Sequence, residues 1–244
     1  MCSSDLLTGD RMRRSSRHFL IIPFLLGMLA NASAKDAAEL TTPLLAARER
    51  GAFGSVNGRA YAEGQRGGAE PTPYPAVSVL LLPRSEDFEA EMEGIKASYR
   101  DSTDAFLEAE PRLSGARVAY ERSIIDAGGG QLLLGESSDA AGAFRFAQVP
   151  EGAWTLLAWR EIPHAKRPTS LKPSEARRYK TRAQVFGYTT VVFWRIPLEV
   201  KAGEELAVRL HDRNEWLTGT REDRRVPDPN QPAPQQGQSG SSPR

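Results

Sequence analysis

The histidine, cysteine and carboxylate side chains of this 244-residue chain are the groups that could carry out catalysis or bind a metal. The three histidines, His18, His164 and His211, lie far apart in the sequence, and Cys2 is the single cysteine. A metal site needs clustered nitrogen, sulfur or oxygen ligands, and these residues are not paired at ligand spacing. The glycines at 128–130 lack the Lys-Ser/Thr ending of a phosphate-binding loop, and there is no G-x-S-x-G nucleophile motif. We therefore expect no enzyme, no metal and no cofactor.

Two runs of like charge stand out. The acidic run at 86–93 is explained as a helix N-terminus, where carboxylates complement the helix dipole. A basic run with a tyrosine inside it could dock an acidic polymer or an anionic lipid, and a solvated loop is the simpler alternative. Its members are Arg177, Arg178, Tyr179, Lys180 and Arg182. The formal net charge of the chain is only +1, so we expect no nucleic-acid partner.

Four large aromatic residues form a second candidate binding set. Trp154, Trp159, Tyr188 and Trp194 fall on segments with strand patterns. They could line a pocket for a sugar or a lipid between a sheet and its covering helices. Ordinary sandwich core is the competing explanation, since tryptophan usually serves packing.

The most regular pattern that could position these residues lies at 131–160. A turn at 139–142 is followed by Phe144 and Phe146, which fall on one face of a strand because side chains alternate. A second turn at 149–152 leads into an apolar strand at 154–159. This stretch predicts two antiparallel strands joined by a short link.

Further strands are predicted at 53–61, 76–82, 185–194, 198–200 and 206–210. The strand at 185–194 is apolar on both faces, so both faces need cover. Between 86 and about 127, apolar residues recur every three or four positions, which predicts two amphipathic helices divided at Pro111. This helical hairpin either covers the exposed sheet face or forms a partner-binding arm.

The sequence predicts a targeting segment at the N-terminus and a disordered tail at the C-terminus. Residues 1–34 combine a basic start, a short apolar run and the small residues 32–34, which predicts a cleavable signal peptide cut between Ala34 and Lys35. Met12 directly precedes the basic region and is our expected true start. Residues 35–52 are expected to be a linker with one helical turn, 161–182 a long basic loop, and 218–244 a disordered tail. We expect no membrane span after cleavage and a bacterial periplasmic or secreted location.

Several motifs together resemble a known family. They are V-N-G-R-A at 56–60, D-A-A-G-A-F-R-F at 139–146, V-P-E-G at 149–152, W-T-L at 154–156 and V-K-A-G at 200–203. This order resembles the carboxypeptidase regulatory-like domain, a transthyretin-like (prealbumin-like) β-sandwich. The resemblance spans about 53–212, interrupted by the helical insertion and the basic loop.

The resemblance implies a mainly β fold, a seven-stranded antiparallel Greek-key sandwich over 53–217 with an inserted helical hairpin. It also implies binding or spacing rather than catalysis. The related hydroxyisourate hydrolases carry an N-terminal histidine motif and a Tyr-Arg-Gly-Ser-type end, both absent here. We expect an exported, non-enzymatic module that docks an envelope protein or polymer. The alternative is a small-ligand carrier that uses the aromatic pocket.

Overall fold

The computed structural model describes residues 26–64, 70–99, 103–165 and 184–225. Within these ranges the chain forms three α-helices and nine β-strands. The helices are α1 (Leu26–Glu49), α2 (Glu86–Ser98) and α3 (Thr103–Asp126), and a 3-10 turn follows at Gly130–Leu132. The strands are β1 (Phe53–Ala62), β2 (Thr72–Pro73), β3 (Ser78–Pro83), β4 (Leu134–Ser137), β5 (Ala143–Pro150), β6 (Gly152–Ala165), β7 (Gln184–Val200), β8 (Glu205–His211) and β9 (Leu217–Arg225). The fold is mainly β with a helical pair inserted between β3 and β4, as the sequence predicts.

The strands form two sheets. In the four-stranded sheet, β1 pairs antiparallel with β2 and β5 and parallel with β8. The five-stranded sheet has the order β4-β3-β6-β7-β9 and is antiparallel throughout. The expected seven antiparallel strands are thus nine in the described residues, with one parallel pair.

The difference in strand number has local causes. The predicted segments 185–194 and 198–200 are one strand, β7, despite the intervening Pro197. Strand β9 pairs with β7 only as far as Phe193, so Pro197 lies where β7 has a single neighbour, β6. A missing N–H is tolerated at such an edge. The short strands β2 and β4, and the strand β9, were not predicted.

Residues 131–160 form a corner between the two sheets rather than a hairpin. Strand β5 pairs with β1, whereas β6 pairs with β3 and β7. Phe144 and Phe146 are both buried in the sandwich core, as predicted, with ring centroids 6.2 Å apart in an edge-to-face arrangement. Gly142 has φ 75°, and a Cβ there would lie 2.2 Å from the carbonyl oxygen of Ala60. Glycine at this turn therefore follows from both backbone conformation and close approach.

The helical pair covers the outer face of the five-stranded sheet. Alternation along β7 sends Val192 and Trp194 into the sandwich core and Val191 and Phe193 toward the helices. The helices bury Phe88, Met92 and Ile95 of α2 and Phe106, Leu113, Ala116 and Ile124 of α3. Both faces of β7 are therefore covered, and the helical pair covers the sheet face, which is one of the two alternatives that the sequence left open.

The helices are not divided at Pro111: α2 ends at Ser98, and Pro111 lies inside α3. Pro111 is exposed, and it removes only one backbone N–H from the helix. The carbonyl left without that donor belongs to Leu107, itself 41% exposed, where water can satisfy it. The packing of α3 along the sheet outweighs the lost bond.

Residues 35–49, expected to be a linker, belong to helix α1. Ala37, Thr41, Leu44 and Ala47 recur every three or four positions and are all buried. Two glycines make room for this face: a Cβ on Gly129 would lie 2.7 Å from Thr41 Cγ2, and one on Gly152 would lie 2.4 Å from Leu44 Cδ2. The helix thus packs over the corner between β5 and β6. In the described part of the chain, no helix is long and apolar enough to cross a membrane.

The expected loop at 161–182 and the expected tail at 218–244 are each described only in part. Residues 161–165 extend β6, and residues 217–225 form β9 instead of beginning a disordered tail. Most of the predicted signal peptide (1–25), the segment 166–183 and residues 226–244 lie outside the described ranges.

Candidate ligand-binding crevice

A crevice of about 150 Å³ lies between α3 and the outer face of β6 and β7. Its floor follows from strand pairing: Trp159 of β6 is directly opposite Phe193 of β7, and Glu161 is opposite Val191. Because side chains alternate along a strand, these four side chains and Leu157 point to the helical side of the sheet. Leu113 of α3 and Met92 of α2 close the opposite wall. The result is an apolar slot with one half-buried indole in it.

One side of the rim is a charge network built on Arg221 of β9. Its guanidinium donates to Glu110 Oε1 of α3 at 2.5 Å and to Glu161 Oε2 of β6 at 2.9 Å. Burial alone would lower the pKa of Arg221, but the two carboxylates outweigh it and hold that pKa above its ordinary value. The arginine therefore stays charged and links helix to sheet beside the crevice.

A second arginine lies over the indole. The guanidinium carbon of Arg117 is 5.3 Å from the centroid of the Trp159 ring, and the same group pairs with Glu121 one turn along α3. A cation over an indole face is attracted by the ring quadrupole. Arg117 therefore covers the crevice on the Trp159 side.

The other end of the crevice is closed by Trp216. Its Nε1 donates to Glu93 Oε1 at 2.8 Å, and Arg195 donates to the same oxygen at 2.5 Å. Lys96 and Arg195 each lie 5.1 Å from the Trp216 ring centroid. This indole is fixed by one hydrogen bond and two cations, so it acts as a rigid wall.

The charges around the slot already have partners, and this limits what it can hold. A charged ligand would have to break the Arg221–Glu110, Arg221–Glu161 or Arg195–Glu93 pair to gain one of its own. A neutral ring can instead lie on the apolar floor and exchange hydrogen bonds at the rim. The volume matches one ring, because an apolar cavity of about 150 Å³ accommodates a single benzene.

The structure places the predicted aromatic set in two locations. Trp159 lies in the crevice, and Trp194 borders it although its ring is fully buried in the sandwich core. Trp154 is fully buried, with Nε1 donating to the Pro150 carbonyl at 2.9 Å, so it is core. Tyr188 is 40% exposed and stacks on His164 at 4.5 Å, away from the crevice. The basic set Arg177, Arg178, Tyr179, Lys180 and Arg182 lies outside the described residues.

Sequence reasoning missed most of the rim. Phe193 belongs to the strand predicted at 185–194, whose two apolar faces both need cover. For Glu110 and Arg221 no local signal exists, because their pairing spans 111 residues.

Comparisons with known proteins give remote similarities. No protein-family model matches the sequence, and no curated protein matches it. A solved structure described as a proposed carbohydrate-binding protein from Pseudomonas aeruginosa is 13% identical, covers 66% of this chain and 88% of its own, and gives a TM-score of 0.37. The pilus backbone protein of Streptococcus pneumoniae is 12% identical over 64% of this chain and 40% of its own, with a TM-score of 0.25. The minor pilin of Streptococcus agalactiae is 10% identical over 74% and 99%, also with a TM-score of 0.25. No argument about function follows from similarities this remote.

Proposed function

We propose that this protein is a non-enzymatic binding module that holds one neutral ring, preferably a sugar ring, in the crevice between α3 and the sheet. The observation that carries the proposal is the cross-strand pair Trp159 and Phe193, which forms an aromatic floor under a slot of about 150 Å³. The apolar face of a pyranose can stack on such a floor. Its hydroxyl groups then reach Glu110, Arg221 and Ser114 at the rim.

Two features favour a ring over a longer lipid. The slot is smaller than the roughly 300–1,000 Å³ of pockets that enclose drug-sized ligands. An extended acyl chain would leave most of its length outside. The rim also offers both carboxylate acceptors and guanidinium donors, which suit hydroxyl groups and gain nothing from a hydrocarbon.

We also propose that the protein is exported, with residues 1–34 removed, and acts in the periplasm or outside the cell. The sequence pattern at 1–34 supports this. Membership of the carboxypeptidase regulatory-like sandwiches rests on the motifs quoted above. Docking of an envelope protein or polymer remains a proposal for the basic residues 177–182, since the apolar face of the helical pair is occupied by the sheet.

Isothermal titration and tryptophan fluorescence test the crevice directly. The probes are neutral sugars (glucose, galactose, N-acetylglucosamine and their disaccharides), charged sugars (glucuronate, glucosamine) and a fatty acid. We expect binding of a neutral sugar that Trp159→Ala weakens at least tenfold. Tyr188→Ala, which removes an exposed aromatic outside the crevice, is the matched control and should bind like wild type.

Three results would contradict the proposal. Equal binding by wild type and Trp159→Ala would place the ligand elsewhere. Tighter binding of a charged sugar or of the fatty acid would overturn the argument from paired rim charges. No detectable binding of any of the neutral sugars would reject the assignment of a sugar ligand.

A further inference from the structure

A second cluster of polar side chains lies where β1 and β8 of the four-stranded sheet end, and none of its residues lines the crevice. Strands β1 and β8 run parallel with Tyr61 opposite His211, so their carboxyl ends meet at one edge. Glu63 follows β1 and Asp212 follows β8. One ligand atom from each of Glu63, His211 and Asp212 lies within 4.8 Å of the others. The topology therefore brings the Glu63 carboxylate to the adjacent pair His211 and Asp212, with 149 positions separating Glu63 from Asp212 in the sequence.

The local bonds hold these groups in place and leave one donor atom of each carboxylate available. The Glu63 backbone N–H donates to Asp212 Oδ1 at 3.1 Å, and Arg213 Nε lies 2.7 Å from Glu63 Oε2. The His211 ring stacks on Tyr61, with centroids 5.7 Å apart. Glu63 Oε1 and Asp212 Oδ2 are the carboxylate oxygens that remain.

The histidine nitrogen facing Glu63 has a lone pair. The backbone N–H of Arg213 donates to His211 Nδ1 at 3.2 Å, which makes Nδ1 an acceptor. Glu63 Oε1, another acceptor, lies 3.5 Å from the same nitrogen. Because Nδ1 has a single lone pair, a metal ion bound there would replace the long bond from the Arg213 N–H and would bridge Nδ1 to Glu63 Oε1.

The separation suits a particular class of cation. Zinc binds histidine nitrogen and carboxylate oxygen at about 2.0–2.1 Å with tetrahedral geometry, which puts two ligands about 3.4 Å apart. The observed 3.5 Å fits that value, whereas the 90° angle of an octahedral magnesium site, with its short bonds, would bring the ligands to about 2.9 Å. A nitrogen donor also favours zinc and its transition-metal neighbours over magnesium or calcium.

We propose that Glu63, His211 and Asp212 form a binding site for a divalent transition-metal ion of the zinc type. His211 Nδ1 and Glu63 Oε1 are the fixed pair of ligands. The exposed Asp212 rotates its free oxygen inward as the third, and water completes the shell. Arg213, whose side chain is 73% exposed, occupies the second oxygen of Glu63 and opposes the cation by its charge.

The test uses tag-free protein stripped with a chelator and titrated with zinc chloride against a chromophoric competitor. We expect one zinc ion per chain and affinity at least tenfold weaker in His211→Ala. The matched control is His164→Ala, which removes the other histidine of the described residues and should leave zinc affinity within about twofold of wild type. Arg213→Ala should bind zinc more tightly, because it removes a nearby positive charge.

The last variant separates a metal site from a structural cluster, since no purely structural role predicts a gain in affinity. If His211→Ala fails to fold, Glu63→Gln, which keeps shape and neutralises the ligand, decides by the same tenfold criterion. Wild-type protein that binds no zinc at millimolar concentration, or equal affinity in wild type and the ligand variants, would overturn the proposal. Magnesium and calcium chloride should bind more weakly than zinc, and the reverse order would refute the zinc-type assignment.

Discussion

Replacing Leu44 by alanine tests whether α1 is part of the fold. The Leu44 side chain is 3% exposed, belongs to the sandwich core, and fits the notch left by the missing side chain of Gly152. Burying a leucine contributes about 1.5–3 kcal/mol, and the cavity left by truncation adds to the loss. Because α1 lies at the margin of the core and can settle, we expect Leu44→Ala to lower the free energy of unfolding by about 3 kcal/mol. For a domain of this size that corresponds to a fall in Tm of roughly 6–12 °C.

Urea unfolding followed by tryptophan fluorescence measures this loss. The control is Arg48→Ala on the exposed side of the same helix, which should change the free energy of unfolding by less than about 0.5 kcal/mol. Equal m-values are needed for the comparison, because a changed slope would mean an altered denatured state. A loss below about 0.5 kcal/mol for Leu44→Ala would refute the packing of α1 and restore the linker interpretation.

Two further predictions concern the helical cover. Gly219→Ala should destabilise the fold by about 1–3 kcal/mol, because the new Cβ would lie 2.0 Å from Phe106 Cδ2. Gly115→Ala, in open space on α3, should stabilise it by about 0.5–1 kcal/mol. A higher Tm for Gly219→Ala than for Gly115→Ala in thermal unfolding would contradict the packing. Desolvation raises the pKa of Tyr120, whose hydroxyl donates to the Pro83 carbonyl at 2.8 Å. Since the folded pKa exceeds the unfolded one, this stability is present below about pH 10 and is lost as pH rises further. Tyr120→Phe should cost about 1 kcal/mol at neutral pH and flatten the alkaline loss in denaturation curves, and an unchanged alkaline slope would refute this.

Helix α1 shows why some elements escape sequence reasoning. Its buried face is made of Ala37, Thr41, Leu44 and Ala47, which are small or only partly apolar, so the periodic signal is weak. Two glycines far along the chain shape the surface that receives this face. A helix whose partner is built from distant glycines carries little local evidence of being buried.

The candidate sites divide in the same way. Trp159 and Phe193 could be assigned to sheet faces from alternation alone, and the covering helices followed from the two apolar faces of β7. Pairs such as Arg221 with Glu110, or Glu63 with Asp212, depend on which strands become neighbours. Strand order is a long-range property, so ligand spacing along the chain could not indicate the Glu63–His211–Asp212 cluster.

The sequence by itself determined the mainly β class, the inserted helical pair, the turn glycine Gly142 and the two-faced character of β7. These features follow from side-chain periodicity and backbone preference, which act over a few residues. Only the tertiary structure decided that β5 and β6 belong to different sheets, that β1 and β8 run parallel, and that α1 completes the core. Each of those outcomes depends on burying apolar surface between segments far apart in the chain, and that free energy exists only once the segments meet.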